Sequence, residues 1–349
     1  MLSLAIDSWF LFRVTNDQGR QRRWTIGELL SWTIERFKQV GIEEARVDAE
    51  HLLAHALNRK RVDLYLEHDR LLAEHERGGF RSLVRRRLER EPVAYIEGVR
   101  GFHALDLELS VDRRVLVPRP ETEHLVDWVL ESLYELPETI SPSEGPNEET
   151  ETAADGDDEL QAIPTEKQLR AKKIVRDGAK ILDVGTGSGA IALALKHTAP
   201  QLEVVACDLS TDALEVARAN AKRLGLEVEF VQSDLFEGMG ASGPFDRIAA
   251  NLPYIPSATI EELSPEVRDF EPRMALDGGE DGFELLRALI AQVANEQGLV
   301  AGGQLFLEIG IGQAEATRAL LTEAGFSSVV GRRDLAGIER VVAGTWSGA

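Results

Sequence analysis

The sequence feature that most constrains the fold is the glycine-rich segment DVGTGSG at residues 183–189. It lies between the apolar run 179–182 and the apolar, helix-like pattern 190–196, an order that predicts a strand, a tight turn and a helix. Glycines at alternate positions of the turn allow backbone angles that a side chain would forbid, so the chain can approach a ligand closely. The unpaired N–H groups at the start of the helix are available to the same ligand. Because many doubly wound proteins share such a turn, its neighbours in the sequence must identify the ligand.

Asp208 indicates what that ligand is. It follows a strand-like segment at 203–207, one strand–helix–strand step after the glycines. In dinucleotide-binding folds an acidic residue at this position binds the ribose hydroxyls, so Asp208 predicts an adenosine ligand. The alternative is that Asp208 caps the predicted helix 212–224, although Ser210 or Thr211 could cap that helix equally well. We favour ribose binding.

A third strand pattern, at 245–250, runs into a loop with the sequence Asn-Leu-Pro-Tyr. Open α/β sheets place their chemistry at the C-terminal ends of strands. Together with the glycine turn, Asp208 and the segment Ser-Asp-Leu-Phe at 233–236, this loop resembles the sites of methyltransferases that use S-adenosylmethionine to modify a planar amide or amino nitrogen. The resemblance implies S-adenosylmethionine as the cofactor. An NAD-binding protein is the weaker interpretation, because the sequence offers no hydride acceptor site.

The loop contains the groups that methyl transfer to an amide needs. A carboxamide nitrogen is a poor nucleophile because its lone pair is delocalised into the carbonyl group. Two acceptors that bind both amide hydrogens would hold the nitrogen in line with the methylsulfonium and stabilise the positive charge that grows during attack. In this interpretation Asn251 and the backbone carbonyl of Leu252 are the acceptors. Pro253 stiffens the loop, and Tyr254 packs against the planar target.

Composition narrows the class of protein. The chain has 349 residues, 43% of them hydrophobic, and no run approaches the ~20 apolar residues of a membrane span. The first seven residues do not form a signal peptide, and a single cysteine excludes an internal disulfide, so we expect a cytoplasmic protein. The net charge of −21 argues against direct nucleic-acid binding, and we expect a monomer. His51 and His55 lie one helical turn apart, but HLLAH lacks the glutamate of zinc proteases, so we predict no metal site.

The sequence divides into segments of different character. We predict an N-terminal extension (1–22), a helical domain (23–92), a hairpin connector with a linking helix (93–136), an acidic disordered linker (137–166) and a methyltransferase domain (167–349).

Two patterns within these segments carry more detailed predictions. The alternation at 105–111, followed by Val115 and Val117, predicts the hairpin, and the linking helix is predicted at 122–136. A helix predicted at 80–91 carries five arginines, which could bind an acidic protein or RNA or form a solvated face.

Several longer stretches make the resemblance more specific. They are PVAYIEG (92–98), RVLVPRPETEHLV (114–126), ILDVGTGSGAIALAL (181–195), CDLSTDALEVARANA (207–221), FEPRMALDGGEDGFELL (270–286) and GGQLFLEIGIGQ (302–313). In this order they resemble the peptide chain release factor N5-glutamine methyltransferases over about residues 24–342, interrupted by the acidic linker.

The resemblance implies both a reaction and a fold. The reaction is methylation of the side-chain amide nitrogen of the glutamine in the Gly-Gly-Gln motif of release factors, which are the expected protein partners. The fold is α/β, with a seven-stranded Rossmann-like class I methyltransferase sheet preceded by a small helical substrate-recognition domain and a β-hairpin connector.

The resemblance also assigns the site residue by residue. The predicted cofactor-binding residues are Gly185, Thr186, Gly187, Ser188, Gly189, Asp208, Asp234, Leu235 and Asn251. The predicted catalytic residues, which also bind the substrate, are Asn251, Leu252, Pro253 and Tyr254. The chemistry of the segment PRPETE, rather than the resemblance, adds Arg119 and Glu121 to the predicted substrate-binding set: Arg119 with Glu121 and Glu123 could form a hydrogen-bonded bracket at the edge of the cofactor, and helix capping is the alternative.

Leu252 departs from the family, which usually has Asn-Pro-Pro-Tyr. The carbonyl that would bind the amide remains, but leucine frees φ and restores an N–H group. Asn-Leu-Pro-Tyr is also the form found in methyltransferases of the exocyclic amine of adenine in ribosomal RNA. An adenine methyltransferase of RNA or DNA therefore stays an alternative, although those enzymes lack the PRPETE segment and the helical domain. A glutamine methyltransferase of a ribosomal protein and a non-catalytic protein that binds the cofactor also stay open.

Overall fold

A computed structural model describes residues 23–135 and 174–348 of the chain. The described residues belong to two units. The first contains the described part of Met1–Val99 with Val111–Arg113 and Glu262–Glu271, and the second contains Arg100–Ser110, the described part of Arg114–Glu261, and Pro272–Ala349 up to residue 348. The predicted extension 1–22 and the predicted acidic linker 137–166 lie outside the described residues.

The first unit is helical. Its helices are α1 (Ile26–Gln39), α2 (Ala45–Leu57), α3 (Arg61–Leu66), α4 (Glu74–Leu88), α5 (Val93–Glu97) and a short helix at Pro265–Arg268. A capping box begins α1: the Thr25 hydroxyl accepts the N–H of Glu28 at 3.2 Å, and the Glu28 carboxylate accepts the N–H of Thr25 at 3.0 Å. Apolar side chains at helical spacing form the core, and the two largest fully buried ones are Phe37 and Phe80.

Two of the arginines predicted to form a solvated or partner-binding face, Arg87 and Arg90, bind the same acidic side chain, Glu266, within the first unit. Arg87, near the end of α4, is 6% exposed. It donates through Nε to Asp48 at 2.7 Å and through Nη2 to Glu266 at 2.8 Å. The other oxygen of Glu266 accepts from Arg90 at 2.7 Å. The prediction is wrong for Arg87 and Arg90, because the planar guanidinium fork can serve two carboxylates at once and does so here.

The connector begins with a two-stranded sheet of β1 (Val99–Phe102) and β2 (Ala104–Ser110). The alternating pattern predicts β2 correctly, but the second predicted strand is wrong: Val115 and Val117 are buried in a segment that is neither helix nor strand. β2 pairs with the segment before it instead. Pro118, which follows Val117, also lacks the N–H group that a continuing strand would donate.

The linking helix, α6, spans Pro120–Ser132, so it begins before the predicted residue 122 and ends before the predicted residue 136. Proline suits the first helical position because its fixed φ matches the helix and an N–H group there would have no intrahelical partner. The helix is followed by β3 (Tyr134–Glu135), which pairs antiparallel with β4 (Ile174–Val175). The described residues on either side of 136–173 therefore lie next to each other.

A seven-stranded sheet forms the centre of the second unit. Its strands are β5 (Lys180–Val184), β6 (Glu203–Asp208), β7 (Glu229–Gln232), β8 (Phe245–Ala250), β9 (Leu299–Glu308), β10 (Phe326–Arg333) and β11 (Glu339–Trp346). The spatial order is β10-β11-β9-β8-β5-β6-β7. All neighbours from β9 to β7 are parallel, and β11 is antiparallel to both of its neighbours. The predicted seven-stranded, mostly parallel sheet is confirmed, and its strand order reverses between β5 and β8.

Helices cover both faces of this sheet. They are α6, α7 (Ala190–Thr198), α8 (Thr211–Leu224), α9 (Glu284–Asn295) and α10 (Ala314–Glu323), with 3-10 turns at Met239–Ala241, Ser257–Glu262 and Arg273–Ala275. Successive strand residues point to opposite faces, so Ile181 packs in one core with α6 and α7, while Leu182 packs in the other with α9 and α10. Burial on both faces explains why the inner strands are continuously apolar. Within residues 23–135 and 174–348, no helix has both the length and the apolar content that crossing a bilayer requires.

Replacing Arg87 by alanine is expected to destabilise the first unit by about 3–5 kcal/mol, because Asp48 loses a buried cation and Glu266 loses one of its two. Unfolding in urea, followed by circular dichroism, measures the change. The matched control is Arg85→Ala, since Arg85 is 63% exposed and its partner Glu89 is 66% exposed. That control should change stability by less than about 0.5 kcal/mol. Equal unfolding midpoints for the two variants would contradict the assigned role of Arg87.

Candidate active site

The glycine turn lies between the end of β5 and the start of α7, as predicted. Its first two N–H groups, of Gly185 and Thr186, both donate to the carbonyl of Cys207 on the neighbouring strand β6 at 2.9 Å. Gly185 has φ +74°, and a Cβ there would lie 3.0 Å from Cδ2 of Leu252. Gly187 has φ +56°, and no heavy atom lies within 4 Å of the position of its missing Cβ. Both positions need glycine for its backbone angle, and Gly187 also leaves room for a ligand.

Asp183 maintains the conformation of the glycine turn. Its side chain is fully buried, and its Oδ2 accepts from the Thr186 hydroxyl at 2.6 Å and from the N–H of Ala192 at 3.1 Å. Its Oδ1 has no hydrogen-bond partner among the described residues. Burial raises the pKa of this carboxyl to about 7. Sequence reasoning gave Asp183 no role, although its place at the end of a buried strand was visible.

The predicted cofactor residues Thr186 and Ser188 are buried, and their observed hydrogen bonds lie within the protein. The Thr186 hydroxyl bonds to Asp183, and the carbonyl of Ser188 accepts from Nδ2 of Asn220 at 2.9 Å. Asn220 is fully buried on α8 and also donates to the carbonyl of Ser110 at 3.0 Å. These two predicted residues therefore maintain the turn, whereas Gly185 and Gly187 line the cavity beside it.

Asp208 is the last residue of β6, and its carboxylate binds the glycine turn. Its Oδ2 accepts from the N–H of Gly187 at 2.8 Å, and its Oδ1 accepts from the N–H of Ser210 at 2.9 Å. Burial raises its pKa, against the effect of these backbone hydrogen bonds. The side chain that caps α8 is that of Ser210, whose Oγ accepts from the N–H of Ala213 at 3.1 Å. Helix capping therefore does not account for Asp208, which leaves its carboxylate at the cavity edge for a ligand.

One cavity in the second unit brings most of the predicted residues together. Its empty space, counted out into the solvent at its mouth, is about 790 Å³. The predicted residues that line it are Gly185, Gly187, Asp208, Asp234, Leu235, Asn251, Leu252 and Pro253. Sequence reasoning missed other lining residues, among them Arg114, Val115, Leu116, Leu209, Pro272, Met274 and Ala275. Several of them lie in the stretches 114–126 and 270–286. The resemblance had identified these two stretches, but it did not say which of their side chains line the cavity.

Asn251 follows β8 directly and lies at the rim of this cavity. Its Nδ2 donates to the hydroxyl of Thr122, at the start of α6, at 3.0 Å. Because Nδ2 is held by Thr122, Oδ1 is the amide atom left for a ligand. The next residue, Leu252, is 4% exposed and packs in the core with α9. The structure thus presents an acceptor oxygen immediately before a residue whose side chain is fixed by packing.

Gln313 holds the second half of the loop, and sequence reasoning missed it. Its Nε2 donates to the carbonyl of Tyr254 at 3.1 Å, and its Oε1 accepts from the N–H of Gly310 at 2.8 Å. The ring of Tyr254 lies against the same glycine, where a Cβ would be 3.0 Å from Cδ2. Tyr254 is not among the residues that line the cavity. Burial raises the pKa of its phenol, so the side chain stays neutral beside the loop.

Arg119 and Glu121 lie at the start of α6, near the loop rather than on the wall of the cavity. Both act electrostatically on Tyr254: Glu121 raises the pKa of the phenol and Arg119 lowers it. Helix geometry explains part of this placement, because Arg119 occupies the N-cap position and Glu121 the first turn. The structure therefore brings this pair close to the loop.

Comparison with known proteins identifies the family. The PrmC N-terminal domain profile matches residues 28–98, and a methyltransferase domain profile matches residues 181–270. The release factor glutamine methyltransferase of Rhodopirellula baltica is 38% identical over 322 residues, which cover 91% of this chain and 95% of the relative. The chain belongs to the release factor glutamine methyltransferase family. The enzyme of the same name from Geobacter sulfurreducens is also 38% identical, over 92% of this chain and 96% of its own.

Family membership confirms the predicted enzyme class and cofactor: the chain is a methyltransferase whose methyl donor is S-adenosylmethionine. A solved structure, that of the release factor-specific protein-(glutamine-N5) methyltransferase from Alicyclobacillus acidocaldarius, is 26% identical and covers 66% of this chain and 95% of its own, with a TM-score of 0.36. The assignment rests on the sequence relatives. Among the residues that the structure describes, no three His, Cys, Asp or Glu side chains are grouped to hold a metal ion.

Asp183 is expected to make the enzyme less stable as the pH rises from about 4 to 7. Its folded-state pKa of about 7 lies above the value of ~3.9 in an unfolded chain, so the native state holds the extra proton between these values. Stability therefore falls as that proton is lost. Without cofactor, wild type should lose on the order of 2 kcal/mol more than Asp183→Asn between pH 5 and pH 8. Thermal unfolding at several pH values measures this, with the exposed Asp212→Asn as control. Parallel curves for wild type and Asp183→Asn would show that the carboxyl does not titrate in this range.

Proposed function

We propose that this enzyme transfers the methyl group of S-adenosylmethionine to the side-chain amide nitrogen of the glutamine in the Gly-Gly-Gln motif of peptide chain release factors. The observation that carries the proposal is the placement of Asn251, whose Nδ2 is bound to Thr122 so that Oδ1 remains for a ligand at the cavity rim. The names of the relatives from Rhodopirellula baltica and Geobacter sulfurreducens support the same substrate.

The loop suits an amide nucleophile. Oδ1 of Asn251 and the carbonyl of Leu252 are two acceptors for the two hydrogens of a glutamine amide, and binding both would fix the plane of the amide. Positive charge grows on the nitrogen as it attacks, and these two oxygens stabilise it without a strong base. Pro253 limits the freedom of the backbone, and the partly buried ring of Tyr254 offers an apolar surface to the planar group. The methylated nitrogen is then acidic enough to release its proton to water.

The cavity residues fit the cofactor. The open space beside Gly187 gives a ligand access to the turn, and the Asp208 carboxylate at the cavity edge is suited to a ribose diol. We propose Asp234 and Leu235, which line the same cavity, as further cofactor contacts. When bound, S-adenosylmethionine supplies an electrophilic methyl group. The remaining task of the protein is to hold the acceptor nitrogen and keep water out.

We propose that Arg119 and Glu121 bind the substrate. Both lie close enough to Tyr254 to shift the pKa of its phenol, which puts one positive and one negative charge beside the loop that would hold the glutamine. A polypeptide substrate presents backbone N–H and C=O groups on either side of its glutamine, and such a pair of charges can bind one of each.

The remaining features of the proposal concern the partner. We propose that the enzyme acts as a monomer in the cytoplasm, where release factors work, and that the helical domain at 23–92 recognises the release factor. The net charge of −21 favours contact with a protein over contact with the phosphates of nucleic acid.

Transfer of labelled methyl from S-adenosylmethionine tests the reaction. A purified release factor should be labelled, and a copy with its Gly-Gly-Gln glutamine changed to alanine should not. Asn251→Ala should lower kcat about 100-fold or more at saturating cofactor, because one of two preorganised acceptors is lost. Asn295→Ala is the matched control, since Asn295 is exposed at the end of α9. Label on a ribosomal protein or on RNA, with none on the release factor, would overturn the proposed substrate.

The ribose role of Asp208 has its own test. Asp208→Ala should weaken binding of S-adenosylmethionine about 10- to 100-fold, because hydrogen bonds to a charged group are lost. Isothermal titration calorimetry gives Kd directly, and Asp212→Ala, an exposed carboxylate in the first turn of the next helix, is the control. An unchanged Kd for Asp208→Ala would remove this residue from the cofactor site.

A further inference from the structure

A buried carboxyl that the proposed mechanism leaves unused lies next to Asn251 in the sheet. Glu308 is the last residue of β9 and is 2% exposed. β9 runs parallel to β8, with Leu307 opposite Ala250, so Glu308 and Asn251 are the next residues on neighbouring strands. Glu308 follows Leu307 on the strand, so it faces the opposite side of the sheet, toward the core that α6 covers.

Thr122 joins these two residues. It lies in the first turn of α6, is 4% exposed, and its Oγ1 accepts from Nδ2 of Asn251 at 3.0 Å. An amide NH₂ group can only donate, so the hydroxyl of Thr122 must use a lone pair for this bond and keeps its own hydrogen for another acceptor. The Glu308 carboxylate lies close enough to Thr122 for this hydroxyl to lower its pKa by hydrogen bonding, and it is the acceptor that the hydroxyl can use. The two hydrogen bonds therefore form a series with one direction: Asn251 donates to Thr122, and Thr122 donates to Glu308.

We infer that Glu308 and Thr122 are positioning residues that decide which end of the Asn251 amide faces the methyl acceptor. The inference rests on the proposed function, in which Oδ1 of Asn251 accepts a hydrogen of the substrate amide. If Thr122 donated to Asn251 instead, the Asn251 amide would turn over and present its NH₂ group to the NH₂ group of the substrate. Two donors cannot bind each other, so the acceptor at the end of the series gives Asn251 its useful orientation.

The surroundings of Glu308 agree with a role beyond packing. Its Oε2 has no hydrogen-bond partner among the described residues, so the carboxyl is not placed to satisfy a structural network. A buried carboxylate of this kind is costly to the fold, and an apolar side chain would fill the space at a lower free energy. Its retention beside the loop is explained by what it does to Thr122.

The charges that face Glu308 come from three other segments. Arg340 on β11 and Arg119 before α6 favour its ionised form, Glu121 opposes it, and the phenol of Tyr254 lies close enough for Glu308 to raise the pKa of that group. Burial outweighs the arginines and raises the pKa of Glu308 to about 7. A protonated carboxyl can donate to Thr122 and reverse the series. The reaction should therefore slow as the pH falls below about 7.

Substitutions at both positions test the inference with the full-length enzyme and a release factor at pH 8. Thr122→Val keeps the shape of the side chain and removes the hydroxyl, so kcat should fall about 10- to 100-fold while the KM for S-adenosylmethionine stays within about 2-fold. Thr122→Ser restores the hydroxyl and should recover kcat to within about 3-fold of wild type. Glu308→Leu should match Thr122→Val, and the double variant should be no slower than either single one, because all three break the same series. Unfolding midpoints confirm that each variant is folded.

The pH profile separates positioning from packing. Glu308→Gln cannot titrate, so its kcat should be the same on either side of pH 7, whereas that of wild type should fall as the pH drops below about 7. A profile unchanged from wild type, a Thr122→Ser enzyme as slow as Thr122→Val, or additive losses in the double variant would each overturn the inference.

A measurement without substrate decides the inference even if the enzyme fails to methylate release factors. The Nδ2 hydrogens of Asn251, assigned in a ¹⁵N NMR spectrum by comparison with Asn251→Ala, should exchange slowly in wild type and Thr122→Ser. They should exchange faster in Thr122→Val and Glu308→Leu. An inactive wild type with this pattern would refute the proposed substrate and leave the series of hydrogen bonds standing. Equal exchange in all four proteins would refute the series itself.

Discussion

The parallel pairing of β5 with β6 on one side and β8 on the other is the interaction on which the site depends. Parallel strands end at the same edge of a sheet, so the pairs Val184–Cys207 and Val184–Ala250 set the glycine turn, Asp208 and Asn251 side by side. The strand order reverses between β5 and β8, where the loops that leave the two strands enclose a crevice. The ladder of the sheet therefore determines where each of these loops begins.

Buried polar groups hold these loops in place, and they are costly. Asp183 and Glu308 are carboxyls buried at the ends of two strands, each with one oxygen that lacks a partner among the described residues. Such groups reduce stability unless they are fully paired. They are found here because each binds a hydroxyl that fixes a loop: Thr186 in the glycine turn and Thr122 beside Asn251. The site thus uses unfavourable burial to obtain geometry that flexible surface residues could not maintain.

Leu252 shows how the two halves of the site constrain each other. Its side chain is buried in the core and reaches the place where Gly185 would carry a Cβ, so the amide-binding loop packs directly against the turn of the cofactor site. Leu252, which stands where the family usually has proline, therefore packs the amide-binding loop against the glycine turn. Its backbone carbonyl is unaffected by the choice of side chain, which keeps the proposed acceptor pair intact.

The sequence by itself determined the strands and turns around the site and the functional residues at the C-terminal ends of those strands. The glycine turn, the strand before Asp208 and the loop at 251–254 were predictable because each is a short, contiguous signal, and strand pairing brings such signals together by known rules. The predicted partner strand at Val115 and Val117 failed, because alternating apolar residues show which side chains are buried but not whether the backbone pairs with a neighbouring strand. Only the tertiary structure revealed Gln313 behind Tyr254, Asn220 behind the turn, and Thr122 and Glu308 behind Asn251. Their contacts join residues far apart in the chain, and no periodicity or motif spacing encodes a hydrogen bond between side chains from different elements.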